Sequence, residues 1–165
     1  VHDLDLVRWL TGSEVQQVTA TTRVREHTQY AEFGDADVSS ILAITDSGVQ
    51  VLITGTRHDA LGHDVRLEVH GSRDSVSAGL NPRTPLRTME ADLGINAHPY
   101  TGFVDRFREA FRHETGAFVT LALGESANPC PPDSALESLR IAIACEESVR
   151  RGGPVTVAEI DTAGH

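Results

Sequence analysis

The spacing of apolar residues along the chain predicts three helices. The first covers residues 1–10, where apolar side chains recur every three or four positions before Thr11 and Gly12 stop the helix. The second covers residues 100–123 and the third covers residues 132–152. We expect the apolar stripe of the second helix in the core; it consists of Phe103, Phe107, Phe111, Phe118 and Leu121.

Strict alternation of apolar and polar residues predicts strands between the first two helices and after the third. The predicted strands cover residues 14–21, 38–45, 49–56, 64–70, 75–78 and 154–160. Asp46, Ser47 and Gly48 join two of them, and this triplet predicts a tight hairpin in which Gly48 has a positive φ. Residues 81–96 show no clear period and are predicted to form a long loop.

This order of elements predicts an α+β fold with an open, largely antiparallel or mixed sheet and helices packed on one face. The other face of such a sheet must be solvated or covered by another surface. Ile41, Ala43, Val51 and Ile53 are apolar residues that we expect near both faces of the hairpin. We therefore expect the free face to pack against a second subunit, which makes the protein a homo-oligomer.

Composition excludes several classes of partner. The chain has 165 residues, a size that fits one domain, and a net charge of −10. This acidic balance argues against binding to nucleic acid or to anionic membranes. All of the basic residues are Arg, so no Lys in the chain can form a Schiff base.

Neither the cysteines nor the histidines have the spacing of a metal site. Cys130 and Cys145 lack a C-x-x-C arrangement and are predicted to be reduced thiols of a cytosolic protein. The eight His residues form no zinc signature, so no metal is expected. No Gly-rich turn joins a strand to a helix, and hence no dinucleotide-binding residues are expected in the chain. The first helix has no capping residue before it, which favours a chain cut from a longer protein.

Four segments carry a family resemblance in the expected order. Residues 2–15 contain the pattern H-D-x-D-x-x-R-W-L-x-G-x-E-V, and residues 62–71 contain G-H-D-x-R-x-E-V-x-G. Residues 100–114 contain F-x-x-R-F-x-x-A-x-x-x-E, and residues 133–155 match a final helix and strand. Together they resemble the Gfo/Idh/MocA oxidoreductases, including their inositol 2-dehydrogenase-like members.

The resemblance implies that residues 1–165 are a substrate-binding and oligomerisation C-terminal domain. In this family an N-terminal Rossmann domain binds NAD or NADP, and this chain does not include that domain. The family's acid/base Lys and an Asp four positions before the His would both precede Val1. The family's catalytic His falls on His2, and Asp3 and His63 are the implied substrate-binding residues. His63 stands where the family usually has Tyr.

The implied reaction is NAD(P)-dependent oxidation of a cyclic polyol or sugar, for which the isolated chain is expected to be inactive. When a secondary alcohol loses hydride, its hydroxyl proton must also leave, and imidazole is suited to accept that proton near neutral pH. Two alternatives remain: a non-catalytic α+β binding or dimerisation module, and an NAD-dependent glycosidase of the same family.

Six charged or polar residues of these segments have simpler interpretations. Asp3 complements the dipole at the start of a helix, and His63 is equally explained as an exposed loop residue. Asp5 and Arg8 are predicted to form a pair on the helix surface or between domains. Arg66 and Glu68 share one strand face and are predicted to form a cross-strand charge pair.

Overall fold

The computed structural model describes residues 1–85 and 98–160. From residue 86 onward, the predicted loop over residues 81–96 lies outside the described residues. The chain divides into two compact units, one formed by Val1–His58 together with the chain from Asn128 onward, the other formed by Asp59–Ala127.

Helices and strands follow one another largely as the sequence pattern predicts. In chain order they are α1 (His2–Thr11), β1 (Val15–Arg23), a 3₁₀ helix (Thr28–Phe33), β2 (Val38–Thr45), β3 (Gln50–Thr56), β4 (Leu67–His70), β5 (Ser75–Ala78), α2 (Phe103–Arg106), α3 (Arg108–Ala122), α4 (Pro132–Arg151), β6 (Val155–Thr156) and a second 3₁₀ helix (Val157–Glu159).

The first unit is built on a four-stranded antiparallel sheet in the order β3-β2-β1-β6. The β2–β3 hairpin turns at Gly48, whose φ of 82° confirms the predicted left-handed conformation. Ala43 pairs with Val18 on one side and with Val51 on the other, so these three side chains share one face. The α+β class and the open antiparallel sheet are confirmed.

Helix α4 covers that face and forms the core with it. Ile141 and Ala144 of α4 are buried together with Val18, Ala43 and Val155 of the sheet. At the end of α4 the buried Ser148 hydroxyl accepts the Ala20 N–H at 2.9 Å and donates to the Gly153 carbonyl at 2.5 Å. The last turns of α4 are thereby hydrogen-bonded both to β1 and to the turn that leads into β6.

The four apolar residues that the sequence placed near both faces of the hairpin all lie on the face that α4 covers. Ile41, Val51 and Ile53 pack against the core, and Ala43 is fully buried in it. Side chains alternate along a strand, so their neighbours Leu42 and Leu52 project from the opposite face, where they are 39% and 80% exposed. The uncovered face therefore has a different set of residues from the one that the apolar pattern indicated.

The second unit contains the two-stranded sheet β4–β5 together with α2 and α3. The predicted helix over residues 100–123 begins at Phe103 and is interrupted at Phe107, whose φ and ψ are −107° and 19°. The expectation that its phenylalanine stripe lies in the core is wrong: Phe103, Phe111 and Phe118 are exposed. The described part of this unit offers only a four-residue strand pair as a partner, which is too small to cover the stripe.

Two predicted strands are shorter in the structure. The strand over residues 64–70 begins only at Leu67, because the carbonyl of Val65 accepts a hydrogen bond from the Arg106 side chain instead of from a neighbouring strand. The strand over residues 154–160 is reduced to Val155–Thr156 and continues as a 3₁₀ helix.

Candidate functional site

His2 and Asp3 occupy the first turn of α1, and both are exposed. No side chain caps this helix end, and the Asp5 N–H donates to the Val1 carbonyl at 3.0 Å. Within the described residues, no hydrogen bond involves the His2 ring. The imidazole is therefore an exposed ring at the start of α1.

Arg8 anchors α1 and so holds the first turn in place. Its guanidinium makes a bidentate ion pair with the Glu14 carboxylate, with Nε–Oε2 at 2.6 Å and Nη2–Oε1 at 2.9 Å. Nη1 also donates to the Ser134 carbonyl at 2.8 Å and to the Ser138 hydroxyl at 3.1 Å. The Arg8 side chain thus connects α1 to the residue before β1 and to the start of α4.

The predicted Asp5–Arg8 pair is confirmed, at 3.4 Å, but it is the weakest of the Arg8 contacts. The hydrogen bond that Arg8 donates to Glu14 is the main cause of the raised pKa of Arg8, whose side chain is largely buried. The Ser138 hydroxyl completes the network by donating to Asp5 at 3.0 Å. Sequence reasoning missed Glu14 and both serines, because helical spacing reveals only partners on the same helix.

His63 lies in the second unit, in the loop before β4, where it is half-buried. Its N–H donates to the Tyr100 carbonyl at 2.7 Å. Its ring meets the Phe107 ring edge-on, with centroids 6.0 Å apart and planes at 81°. The preceding Gly62 has φ 138°, and a Cβ there would lie 2.4 Å from the Tyr100 oxygen. His63 is therefore held by definite contacts rather than left on a loose loop.

The predicted charge pair between Arg66 and Glu68 is not formed. Arg66 pairs instead with Asp64, two residues before it, with Nε–Oδ2 at 2.9 Å. Glu68 approaches the ring of His70 at 3.9 Å. Residues 64–66 form a loop before β4 and not the predicted strand. Side chains two positions apart can meet in such a loop, as those of Asp64 and Arg66 do.

Asp37 forms a buried carboxylate site that sequence reasoning missed. Its two oxygens accept the backbone N–H groups of Arg25, Glu26 and His27 at 2.7, 2.7 and 2.8 Å. These hydrogen bonds, that of His27 above all, lower the Asp37 pKa to about 2. The carboxylate thereby fixes the turn after β1, although a lone Asp before a strand gives no signal of this role.

The turn held by Asp37 leads to a small aromatic and cationic cluster. The His27 ring lies edge-on to Tyr30 and to His58, with centroids 6.1 and 5.9 Å apart. The Arg57 guanidinium lies 5.1 Å from the centre of the Tyr30 ring. His27 and Tyr30, which follow β1, thus meet Arg57 and His58, which follow β3, at this end of the sheet.

We expect Asp37 to make the stability of the first unit pH-dependent. A carboxyl whose pKa is lower when folded stabilises the fold fully above its unfolded pKa of about 3.9. That contribution should disappear as the pH falls from about 4 through the folded value of about 2. Urea unfolding of the wild type and of Asp37→Asn should therefore differ most at neutral pH and converge near pH 2. The exposed Asp35→Asn is the matched control, and an equal effect of both variants would contradict the assignment.

Neither a metal site nor a reactive thiol is evident in residues 1–85 and 98–160. No group of three or more His, Cys, Asp or Glu residues converges there in a way that could hold a metal ion. Cys130 is exposed and Cys145 is buried, both are free, and burial raises the pKa of Cys145 to about 11. Over the same ranges, no helix has the length and apolar character needed to cross a membrane.

The residues present do not fit the phosphate groups of a dinucleotide. Such groups bind where a Gly-rich turn leads from a strand into a helix N-terminus. Among the described helices, α2 follows the single Gly102, α3 follows Phe107, and α4 follows Pro131. None of these helix starts follows a Gly-rich turn of the kind that cradles a dinucleotide.

An open antiparallel sheet with one long helix across its inner face places the chain among α+β domains. Residues 1–77 match the GFO/IDH/MocA C-terminal domain family. The chain belongs to this family of oxidoreductase domains.

Similar proteins share most of the chain. A myo-inositol dehydrogenase of Streptomyces leeuwenhoekii is 36% identical over 155 residues, which are 92% of this chain and 46% of that protein. The crystal structure of myo-inositol 2-dehydrogenase from Lactobacillus plantarum has a TM-score of 0.82 and 32% identity, covering 94% of this chain and 46% of its own.

A second structure, scyllo-inositol dehydrogenase from Lactobacillus casei with bound NAD(H) and scyllo-inositol, has a TM-score of 0.82 and 26% identity. It covers 95% of this chain and 46% of its own. The chain spans about half the length of the relatives that it matches.

Proposed function

We propose that residues 1–165 are the substrate-binding and oligomerisation domain of a longer NAD(P)-dependent oxidoreductase that acts on a cyclic polyol or sugar, with inositols as the first candidates. The observation that carries this proposal is the similarity to inositol dehydrogenases along more than nine-tenths of the chain. The exposed imidazole at the start of an anchored helix supports it. The cofactor binds to a separate dinucleotide-binding domain of the longer protein, which we propose to be cytoplasmic.

His2 is the catalytic residue of this proposal. When a secondary alcohol is oxidised, its carbon loses hydride and its oxygen loses a proton, and the nicotinamide supplies the hydride acceptor. The His2 imidazole accepts or relays the hydroxyl proton, which lowers the cost of developing negative charge on the oxygen. Because the ring is exposed and Arg8 anchors the helix behind it, His2 can meet the substrate without a rearrangement of α1.

Asp3 and His63 bind the substrate in this proposal. A polyol offers several hydroxyl groups that both donate and accept hydrogen bonds, and an exposed carboxylate or a neutral imidazole can satisfy them. His63 replaces a Tyr of the family pattern, and it retains the ability to hydrogen-bond while being shorter. We therefore expect the preference among polyols to depend on His63.

The uncovered face of the sheet forms the interface of a homo-oligomer in this proposal. Leu42 and Leu52 are directly paired across β2 and β3 and lie on this face. Arg23 is the only charged residue that the three strands β1, β2 and β3 place there. A sheet face with a single charged residue is unusual on a protein of net charge −10, and depletion of charge is typical of a contact between subunits.

The test is an assay of the full-length protein that carries this chain. NAD⁺ or NADP⁺ is supplied with myo-inositol, scyllo-inositol, glucose or a nitrophenyl glycoside. We expect reduced nicotinamide to accumulate with at least one inositol. Comparison of the rates with NAD⁺ and with NADP⁺ identifies the preferred cofactor. Release of nitrophenol without net reduction would instead identify a glycosidase. A folded protein inactive in every arm would favour a binding or dimerisation module.

The isolated chain is a control for the location of the cofactor. Titration of NAD⁺ or NADP⁺ into it should give no saturable binding, because its helix starts do not form a dinucleotide cradle. Micromolar affinity would contradict the assignment of cofactor binding to another domain.

A further inference from the structure

Two contacts hold His63, a third hydrogen bond fixes the chain two residues after it, and all three belong to the second unit. The chain at His63 is tied to Tyr100 by the N–H to carbonyl hydrogen bond of 2.7 Å. The ring rests edge-on against Phe107. Two residues further on, the Val65 carbonyl accepts a hydrogen bond from a side chain rather than from a strand. Displacement of any of these partners would alter where the imidazole lies.

Arg106 touches each of these three supports. Its Nη2 is the donor to the Val65 carbonyl, at 3.2 Å. The centre of its guanidinium lies 5.2 Å from the centroid of the Tyr100 ring and 5.2 Å from that of Phe107. A planar guanidinium can stack on aromatic rings and donate in its own plane at the same time, which a Lys ammonium cannot do. The identity of this residue therefore matters, and not only its charge.

Tyr100 is held independently of Arg106. The Arg83 guanidinium lies 4.2 Å from the Tyr100 ring centroid and makes a two-pronged ion pair with Asp105, with Nη2–Oδ2 at 2.5 Å and Nη1–Oδ1 at 3.3 Å. The hydrogen bond with Arg83 lowers the pKa of Asp105. Loss of Arg106 should thus loosen the His63 ring and Val65 without releasing Tyr100, so a local effect is expected rather than unfolding.

We propose that Arg106 is the positioning residue for His63, holding the imidazole where it contacts the hydroxyl groups of the polyol. The second part of this proposal, the contact of His63 with the substrate, rests on the function proposed above. The first part, the control of the His63 ring by Arg106, concerns this chain alone.

The first arm of the test is nuclear magnetic resonance of this chain. In Arg106→Met, the ring signals of His63 should move away from their Phe107-shifted positions, while those of the exposed His70 on β4 should stay. Arg106→Lys, which keeps the charge but not the planar fork, should give an intermediate displacement. Arg108→Met is the matched control, since Arg108 is exposed and pairs only at 3.6 Å with Asp105. Unchanged His63 signals in Arg106→Met would overturn the inference.

The second arm is steady-state kinetics of the full-length enzyme with its best inositol. Arg106→Met should raise KM about three- to tenfold, the worth of one misplaced hydrogen bond, and leave kcat within about twofold. Arg106→Lys should recover part of the KM. His63→Ala should raise KM similarly, and adding Arg106→Met to it should change little more. Additive effects of the two substitutions would overturn the inference.

The outcomes separate the two proposals. If His63→Ala leaves KM unchanged, the substrate contact of His63 fails, while the magnetic resonance arm still decides whether Arg106 controls its ring. If Arg106→Met does not fold, Arg106→Gln, which keeps a donor for Val65 but no cation for the rings, replaces it with the same expected displacement. An unmoved His63 ring in that variant also overturns the inference.

Discussion

Replacement of His2 by Ala should lower the turnover of the full-length enzyme by at least about a hundredfold, the usual worth of a positioned general base. The physical reason is that the alcohol proton would then have to leave to water or to a less well placed group. Affinity for the nicotinamide cofactor should stay nearly constant, because in this proposal a separate domain supplies the dinucleotide-binding residues. Measurement of kcat and of cofactor binding by fluorescence titration on the same preparation checks both expectations.

His113→Ala is the matched control for this prediction. His113 lies exposed on α3, and nothing in the proposal gives it a role. His2 is itself exposed, so the substitution should leave the thermal unfolding midpoint in place, and a loss of turnover could not be attributed to unfolding. An unchanged kcat would remove His2 from the catalytic machinery.

Leu52→Asp should dissociate the proposed oligomer. Leu52 is 80% exposed on the uncovered sheet face, beside its cross-strand partner Leu42. In an interface built on this face, the new carboxylate would be buried without a partner, at a cost of several kcal/mol. A penalty of about 3 kcal/mol weakens association more than a hundredfold, which converts a micromolar assembly to a monomer. Sedimentation equilibrium at micromolar protein concentration measures the change.

Leu136→Asp provides the comparison for Leu52→Asp. Leu136 is likewise an exposed leucine, at 49%, but it lies on α4, in the helix layer on the other side of the sheet. This variant should keep the oligomeric state of the wild type. If both variants assemble as the wild type does, or if the wild type is a monomer, the uncovered face is not a subunit interface.

Local pattern predicted most of the elements because local forces determine them. The β2–β3 hairpin follows from two alternating runs and from a Gly that tolerates positive φ, and both act within a few residues. The same holds for α1, where the apolar period and Gly12 lie within one short segment. The motif that begins at His2 is likewise contiguous, so the family resemblance needed no knowledge of the tertiary structure.

Alternation could not show which face of the sheet α4 would cover. Ile41 and Leu42 are adjacent and equally apolar, and either could belong to the core. The decision depends on the shift of β1 against β2 and on where α4 crosses, which are properties of the whole unit. The prediction that the Phe stripe of residues 100–123 lies in the core was wrong for a related reason. An apolar period indicates a surface that can be buried, but it does not show that a partner is available to bury it.

The sequence by itself determined the order of the elements, the open antiparallel class, the family and the position of His2. The tertiary structure decided the contacts between residues that are far apart in the chain. Arg8 reaches Ser138 across 130 positions, Ser148 reaches Ala20 across 128, and His63 is placed by Tyr100 and Phe107. Periodicity and turn chemistry act over a few residues, whereas these hydrogen bonds and stacked rings exist only once the chain path has brought their partners together.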